Sequence, residues 1–340
     1  MNTKIYLITG GAGFIGSNLI RKILKHNPQA IIYVIEPQGI NLWRLVDIAH
    51  LITIHHISLT NIAELTDLIE SIKPQIIFHL ASYGGMPNQI EQSLIFDINL
   101  LGTINLLSAC KKVNFECFIN TGSSSEYGKK SYPMKEQDIL EPISDYAIAK
   151  AAATHYCLKE AIMCNLPVYT IRPFSVYGDY EALTRLIPTV ALGFLTQNPL
   201  YLSKPTNVRD FIYIDDMVEA YLCLATKRPL HSYIFNIGSG IESSIQHVIN
   251  IIQSITKTTP SIHWQATAPR PWEPTHWQAD IHQAQTILNW TPSYSLEQGL
   301  LKTVQWLEKN QNLYLSQEVK NNGSRNTTSI NPQTRSSSIP

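Results

Sequence analysis

Apolar positions in the first half of the chain follow two alternating rhythms. Short runs rich in β-branched residues, at 5–8, 31–35, 52–57, 75–80, 115–121 and 168–171, read as strands. Between them apolar residues return every three or four positions. Phe14, Ile15, Leu19, Ile20, Ile23 and Leu24 form the first such stripe, and 62–72, 94–111 and 145–164 carry further helices. Pro74 closes the second of these. Strands alternating with helices predict a doubly wound parallel α/β sheet with helices on both faces. After about 178 the rhythm breaks. Pro188, Pro199, Pro205 and Pro229 punctuate shorter elements, with one strand-like return at 233–237. The expected organisation is a sheet domain over 1–177 and a smaller C-terminal α/β lobe over 178–312. From 313 to 340 Asn, Ser and Thr dominate and apolar residues are few, which predicts a disordered tail.

The turn between the first strand and the first helix carries Gly10, Gly13 and Gly16. Gly10 permits a tight turn, Gly13 lets the backbone approach a pyrophosphate, and Gly16 lets the helix lie against its strand. The N–H groups of a helix N-terminus, here around Phe14 and Ile15, and its positive dipole end then face the phosphates. A glycine triplet placed between strand and helix predicts a nucleotide cofactor in a Rossmann-type domain. Ligands of such sheets bind beyond the carboxyl ends of the strands. The glycine turn, Ala81-Ser82-Tyr83, Thr121-Gly122-Ser123 and Pro173-Phe174-Ser175 all fall there, so they should converge on one crevice. Glu36 ends the second strand, where a carboxylate can accept both ribose hydroxyls of NAD and repel the 2′-phosphate of NADP. Arg44 is placed to reach a phosphate, so NADP stays open as the alternative.

Charge and composition narrow the partners. Lys+Arg and Asp+Glu both number 26, so bulk charge gives no reason to expect nucleic acid or a membrane surface. No run approaches the ~18 apolar residues of a membrane span, and no apolar leader precedes the first strand. The five cysteines form no C-x-x-C pair, which favours free, mostly buried thiols in a reducing compartment; the expected location is the cytoplasm. No histidine or cysteine spacing suggests a metal, and His79 reads as structural.

Tyr146-Ala-Ile-Ala-Lys150 is the second chemical signal. Ser144 is placed to cap the helix and Asp145 to sit in its first turn. Positions i and i+4 put the phenol and the ammonium on one helix face. A free tyrosine, with a pKa of ~10, is a poor base at neutral pH. A nearby lysine and an oxidised nicotinamide favour its phenolate, which can then take a proton from a sugar hydroxyl or return one to a carbonyl. Ser123, at the end of the preceding strand, can hydrogen-bond the same substrate oxygen. The pair alone recurs by chance on exposed helix faces; joined to the glycine turn and a strand-end serine it reads as catalytic.

These motifs make the chain resemble an extended short-chain dehydrogenase/reductase of the NAD-dependent epimerase/dehydratase family. The likeness runs from about 3 to 310. It includes His79-Leu80-Ala81-Ser82, the Asn99 to Leu107 segment, Ser123 to Gly128, the Tyr146/Lys150 pair, Arg172 to Gly178 and Arg209 to Asp216. The resemblance implies that Ser123, Tyr146 and Lys150 are the catalytic triad and that the substrate is a sugar carried by a nucleoside diphosphate. It implies cofactor contacts from Leu80, Ala81, Ser82, Asn99, Thr121, Pro173 and Ser175. Ser58 and Leu59 stand where the family often has Asp-Leu or Asp-Ile against adenine. Substrate contacts are implied for Tyr83, Ser124, Ser125 and Ser175, the last often asparagine in relatives. Arg209 and Arg270 take the places of the pyrophosphate-binding arginines, whose forks suit phosphate oxygens. Tyr177, Trp264 and Trp272 are candidates for stacking on a base or sugar, or for the lobe's core. Family members commonly pair through two helices per subunit, here 94–111 and 145–164, so a homodimer is expected.

The turn after the fifth strand separates reactions. Sugar-nucleotide 4,6-dehydratases of the family carry a glutamate two positions after the catalytic Ser/Thr. That position is Ser125 here, and the adjacent Glu126 should point elsewhere. This disfavours dehydration. A 4-epimerase acting through a transient 4-keto sugar and a 4-ketoreductase remain. The Gly122 to Gly128 string is similar to that of GDP-4-keto-6-deoxymannose reductases, whereas Glu36 and tightly held NAD favour the epimerase. A cofactor-sensing protein without chemistry usually lacks part of the triad. A reductase of steroid or flavonoid alcohols would have no need of Arg209 and Arg270.

Overall fold

The computed structural model describes residues 4–86, 88–227, 230–266 and 275–325. The chain begins β1 (Ile5–Thr9), α1 (Phe14–His26), β2 (Ile31–Glu36), β3 (Thr53–His56), α2 (Ile62–Ile72) and β4 (Ile76–His79). It continues with α3 (Gln92–Phe96), a π-turn (Asp97–Leu101), α4 (Gly102–Cys110), β5 (Cys117–Thr121), α5 (Asp145–Met163) and β6 (Val168–Pro173). Then follow β7 (Ser175–Tyr177), α6 (Leu186–Thr196), β8 (Leu200–Tyr201), β9 (Val208–Tyr213), α7 (Ile214–Thr226) and β10 (Ile234–Ile237). The last elements are β11 (Glu242–Ser244), α8 (Ile245–Thr256), β12 (Ile262–His263), α9 (His282–Leu288) and α10 (Leu296–Arg325).

Seven parallel strands form the main sheet in the order β10-β6-β5-β4-β1-β2-β3. Neighbouring strand residues point to opposite faces, so each strand feeds two cores. Ile8, Phe78 and Ile119 pack with α1, α7 and the lobe helices. Their neighbours Leu7, Ile77 and Phe118 pack with α2, α4 and α5. Local signals set the helix ends. Asn61 caps α2 by accepting from Glu64 N, and Lys73 leaves it in the left-handed conformation just before Pro74.

Three expectations are revised. First, β10 returns to the main sheet beside β6, and α7 packs on α1, so the sheet domain takes up segments beyond 177 and the two units interleave. A four-residue run flanked by loops gave the pattern too little length to show which sheet it joins. The lobe proper holds the β11-β9-β7 and β12-β8 sheets. Second, α10 runs through Arg325, with a non-helical residue at Asn310, past the expected start of the tail at 313. Tyr314 is buried and donates to the Glu181 carbonyl at 2.9 Å, an anchor that composition does not reveal. Third, the rod Gln92–Cys110 is long and apolar enough to cross a membrane by length and composition, although interspersed polar residues hid this in the sequence. It packs against α2 and α5. None of the five cysteines, all of them among the described residues, forms a disulfide; Cys110, Cys117 and Cys157 are buried, while Cys164 is exposed.

Candidate active site

The carboxyl ends of the central strands lie in register. Thr9 pairs with His79, His79 with Asn120, and Thr121 with Ile171. Polar side chains concentrate there inside the core, and a buried polar group must find a partner. His79 is held between Thr9 Oγ1 (2.7 Å from Nδ1) and Thr103 Oγ1 (2.8 Å from Nε2). Burial, reinforced by the Lys150 charge, pulls its pKa down to about 3, so the ring is neutral and structural.

The glycine turn fits a dinucleotide. Gly10 has φ +72°, and a Cβ there would lie 2.6 Å from Ala81 N. A Cβ on Gly16 would lie 2.3 Å from the Gly10 carbonyl and 2.7 Å from Gly11 Cα. The close partner of Gly16 is therefore the turn itself, where the sequence suggested the strand. Gly13 begins α1 in an extended conformation with no side-chain cap, which leaves the first-turn N–H groups, around Phe14 and Ile15, to an anion. Glu36 is buried, and its Oε1 accepts the Ala12 N–H at 2.6 Å. Burial raises its pKa to about 7 against the lowering effect of that bond. Arg44 is engaged with the protein's own backbone. It donates to the carbonyls of Tyr180 (2.7 Å) and Ala12 (3.3 Å) and lies over the Trp43 ring, so it braces the rim of the cradle. Leu59 is buried against Gly102, and its carbonyl accepts from Asn105. The Ser58 and Thr60 hydroxyls are bonded to each other.

Two expected cofactor residues also support the site through hydrogen bonds of their own. Asn99 is fully buried in the π-turn; its amide donates to the carbonyls of Tyr83 (2.6 Å) and Ile95 (2.8 Å), and its oxygen accepts from Tyr83 N. It shapes the Ala81-Ser82-Tyr83 segment, whose start is also tied to β1 by Leu80 N to Thr9 O. Thr121 shares a hydrogen bond with the Tyr221 hydroxyl, and its carbonyl accepts from Lys150 Nζ at 2.9 Å. Pro173 ends β6, and Ser175 opens β7 in register with Phe211.

The expected triad does come together. Ser144 accepts from Ala147 N and starts α5. Tyr146 is half-buried, and the hydroxyls of Ser123 and Ser82 act on its phenol to lower its pKa. Ser123 Oγ accepts from Ser125 N at 3.1 Å, so its own proton is left to donate forward. Lys150 is buried, 6.0 Å from the Tyr146 ring centroid. Burial lowers its pKa to about 8, opposed by the negative charge of Glu126. The phenol is pushed above its ordinary value by burial, while Ser123, Ser82 and the Arg185 charge pull it back. The hydroxyls and Arg185 act on the phenol in the same sense as that expected of Lys150 and an oxidised nicotinamide. Arg185 went unnoticed in the sequence. It donates to the Gly85 carbonyl at 2.8 Å, and Gly85 also borders Tyr146.

Among substrate candidates, Ser124 is buried, Ser125 and Tyr83 are half-buried beside Ser123 and Ser82, and Arg209 is half-buried on β9, paired with Ser243. Arg270 and Trp272 lie outside the described residues. Tyr177 is core: it donates to the Leu296 carbonyl and fills the space that Gly299 leaves open. Trp264 also packs against the core. Glu126 is fully buried and turned inward to Arg172, Ser123 N and Thr154.

Relatives share this fold. A UDP-glucuronate 4-epimerase of Thermodesulfobacterium geofontis is 29% identical over 329 residues, 92% of this chain and 99% of that one. The dTDP-glucose 4,6-dehydratase of Bacillus anthracis, solved with NAD, superposes with a TM-score of 0.82 at 26% identity, over 92% of this chain and 99% of that one. The UDP-glucose 4-epimerase of Thermotoga maritima, solved with UDP-glucose, gives 0.81 at 25% identity over 90% and 99%. The family model described as the NAD dependent epimerase/dehydratase family matches residues 6–238. The chain belongs to that family and is an NAD-dependent enzyme acting on nucleotide sugars.

Proposed function

We propose that the protein is an NAD-dependent 4-epimerase of a nucleoside-diphosphate sugar. The observation that carries this reading is the placement of Glu126. Eliminating water across C5 and C6 requires a base at C5 and an acid at the departing hydroxyl. Beside Ser123 the chain offers two serines, and the nearest carboxylate, Glu126, is fully buried with both oxygens engaged. What remains suits proton transfer at one sugar oxygen. Tyr146 takes the proton from O4, with Ser123 donating to that oxygen, and later returns it. The uncapped α1 N-terminus and Glu36 would hold the cofactor, and Lys150 would steady its ribose. When bound, NAD would supply reversible acceptance of the C4 hydride, so that the hydride lost from one face of C4 could be restored on the other. Arg209 and Arg270 are the proposed diphosphate clamp, with Ser175 a shorter-reaching partner. The Gly122 to Gly128 string supports a second reading, reduction of a 4-keto-6-deoxy sugar by NAD(P)H.

A homodimer through α3–α4 and α5 is proposed as well; Leu101 and Ile148 are exposed there. Light scattering on the purified protein tests it. Spectra of fresh protein offered a panel of nucleotide sugars test the chemistry. Bound NAD that is transiently reduced by one sugar and then reoxidised supports the epimerase. Steady consumption of added NADH or NADPH with a keto sugar overturns it in favour of the reductase.

A further inference from the structure

Glu126 leaves one question open: why a carboxylate is kept where it cannot touch substrate. Its Oε1 accepts the Ser123 N–H (2.8 Å) and the Thr154 hydroxyl (3.0 Å); its Oε2 accepts Arg172 Nε (2.8 Å). Arg172, also fully buried, continues through Nη1 to the Tyr127 hydroxyl (2.8 Å), which donates to Asn236 on β10 (2.7 Å). Residue 122 must be glycine for this, because a Cβ there would sit 2.5 Å from Glu126 Oε1. Burying an ion pair costs desolvation that its Coulomb energy seldom exceeds, and a well-packed apolar pair is often as stable. Stability alone therefore does not account for it.

Its contacts point to the reacting groups. Ser123 is gripped by its own backbone. Thr154 stands at i+4 from Lys150, which stands at i+4 from Tyr146, so one face of α5 carries all three. The same negative charge acts on both Lys150 and Tyr146. We propose that Glu126 is a positioning residue for the catalytic triad: its carboxylate clamps the Ser123 turn to the Tyr146–Lys150–Thr154 face of α5, and its charge is the counterpart of the buried Lys150 ammonium. Other charged groups around this face are Arg172 beyond Glu126 and Arg185 at the mouth; Cys157 and His79 are buried thiol and neutral ring. This inference rests on Tyr146 and Lys150 being the reacting pair, and on no particular sugar.

The test is the Glu126→Gln variant of the NAD-loaded protein. The amide keeps an acceptor for Ser123 and Thr154 but removes the charge. Tyr146 ionisation is followed by tyrosinate absorbance, with the same background carrying Tyr146→Phe subtracted. Without the opposing charge, Tyr146 should titrate at a pH lower by about half a unit or more, the scale of a nearby buried charge. The alkaline limb of any turnover profile should move down with it, as Lys150 loses its counterpart. Because Glu126→Gln leaves Arg172 unmatched, Glu126→Gln/Arg172→Gln is measured alongside. Arg172 lies beyond Glu126 from the reacting pair, so the double variant should show the same direction. An unmoved titration in a folded variant, with only stability changed, overturns the proposal. A shift in a protein that turns over no nucleotide sugar upholds it while sinking the epimerase reading.

Discussion

Alanine at Gly16 and at Gly13 should have opposite consequences. A Cβ on Gly16 meets only backbone, the Gly10 carbonyl at 2.3 Å and Gly11 Cα at 2.7 Å, so relief requires a movement of about 1 Å to reach ordinary contact. The turn cannot give way. Gly10 N donates to the Ile35 carbonyl, and the far side of Gly10 is already against Ala81. Helix α1 must lift instead, and Leu19, Ile20 and Ile23, all buried, come with it. Overpacking of this kind costs about 1–3 kcal/mol, a loss of roughly 1–4 °C in Tm for a chain this large. At Gly13 the only close atom is the Gly10 carbonyl at 3.0 Å, and φ is −72°, which alanine adopts freely. Gly13→Ala should melt within about 2 °C of the parent, yet lose about tenfold or more in NAD affinity because the methyl occupies the surface a pyrophosphate must approach. Thermal melts of cofactor-free protein and calorimetric titration with NAD separate the two. A Gly16→Ala protein that melts like the parent, or a Gly13→Ala protein that is the less stable, refutes the steric argument.

Further outcomes follow from the same geometry. Tyr146→Phe should retain bound NAD and its melting temperature while turnover falls about 10²- to 10⁴-fold, the range for loss of a general acid–base; near-normal turnover sinks the mechanism. Glu36 has a folded pKa raised from 4.5 to about 7, so its stabilising contribution is fully present below 4.5 and is lost as pH rises through about 7, at most about 3 kcal/mol. Cofactor-free Glu36→Gln should therefore melt above the parent at pH 8 and converge with it near pH 4.5, while binding NAD more weakly; an equal offset at both pH values contradicts this. Arg209→Met should raise KM for the nucleotide sugar about 10- to 100-fold with little change in kcat, as loss of a charged ground-state contact does. An unchanged KM removes Arg209 from the diphosphate site.

How much of this was legible in the sequence depends on how local the cause is. The glycine turn, the strand–helix alternation and the Tyr146/Lys150 spacing are set by neighbours a few residues apart, and the structure places each as read. Gly16 was assigned correctly for a slightly wrong reason, since sequence spacing cannot say which backbone the helix meets. For Asn99 and Thr121 the resemblance implies cofactor contacts but not the internal partners that hold them. Their hydrogen bonds go to Tyr83, Ile95 and Tyr221, partners fixed by tertiary packing. The return of β10 to the main sheet and the anchoring of Tyr314 are long-range choices that a periodic pattern does not encode.

Glu126 shows the same limit from the chemical side. Its spacing from Ser123 suggested that it would not face the substrate, and the structure gives the cause. The turn at Ser124–Tyr127 is closed by Ser123 and Glu126 bonding each other's backbone or that of the next residues, which commits the carboxylate inward. Once inward it needs a cation, a hydroxyl and a glycine with no Cβ in its path. Arg172, Thr154 and Gly122 come from β6, α5 and the end of β5. Three residues scattered over 50 positions thus become necessary together. Gly122→Ala should for that reason disturb the Glu126 clamp although it lies outside any phosphate cradle. The parent sequence marks that site only as an unremarkable Gly between Thr121 and Ser123.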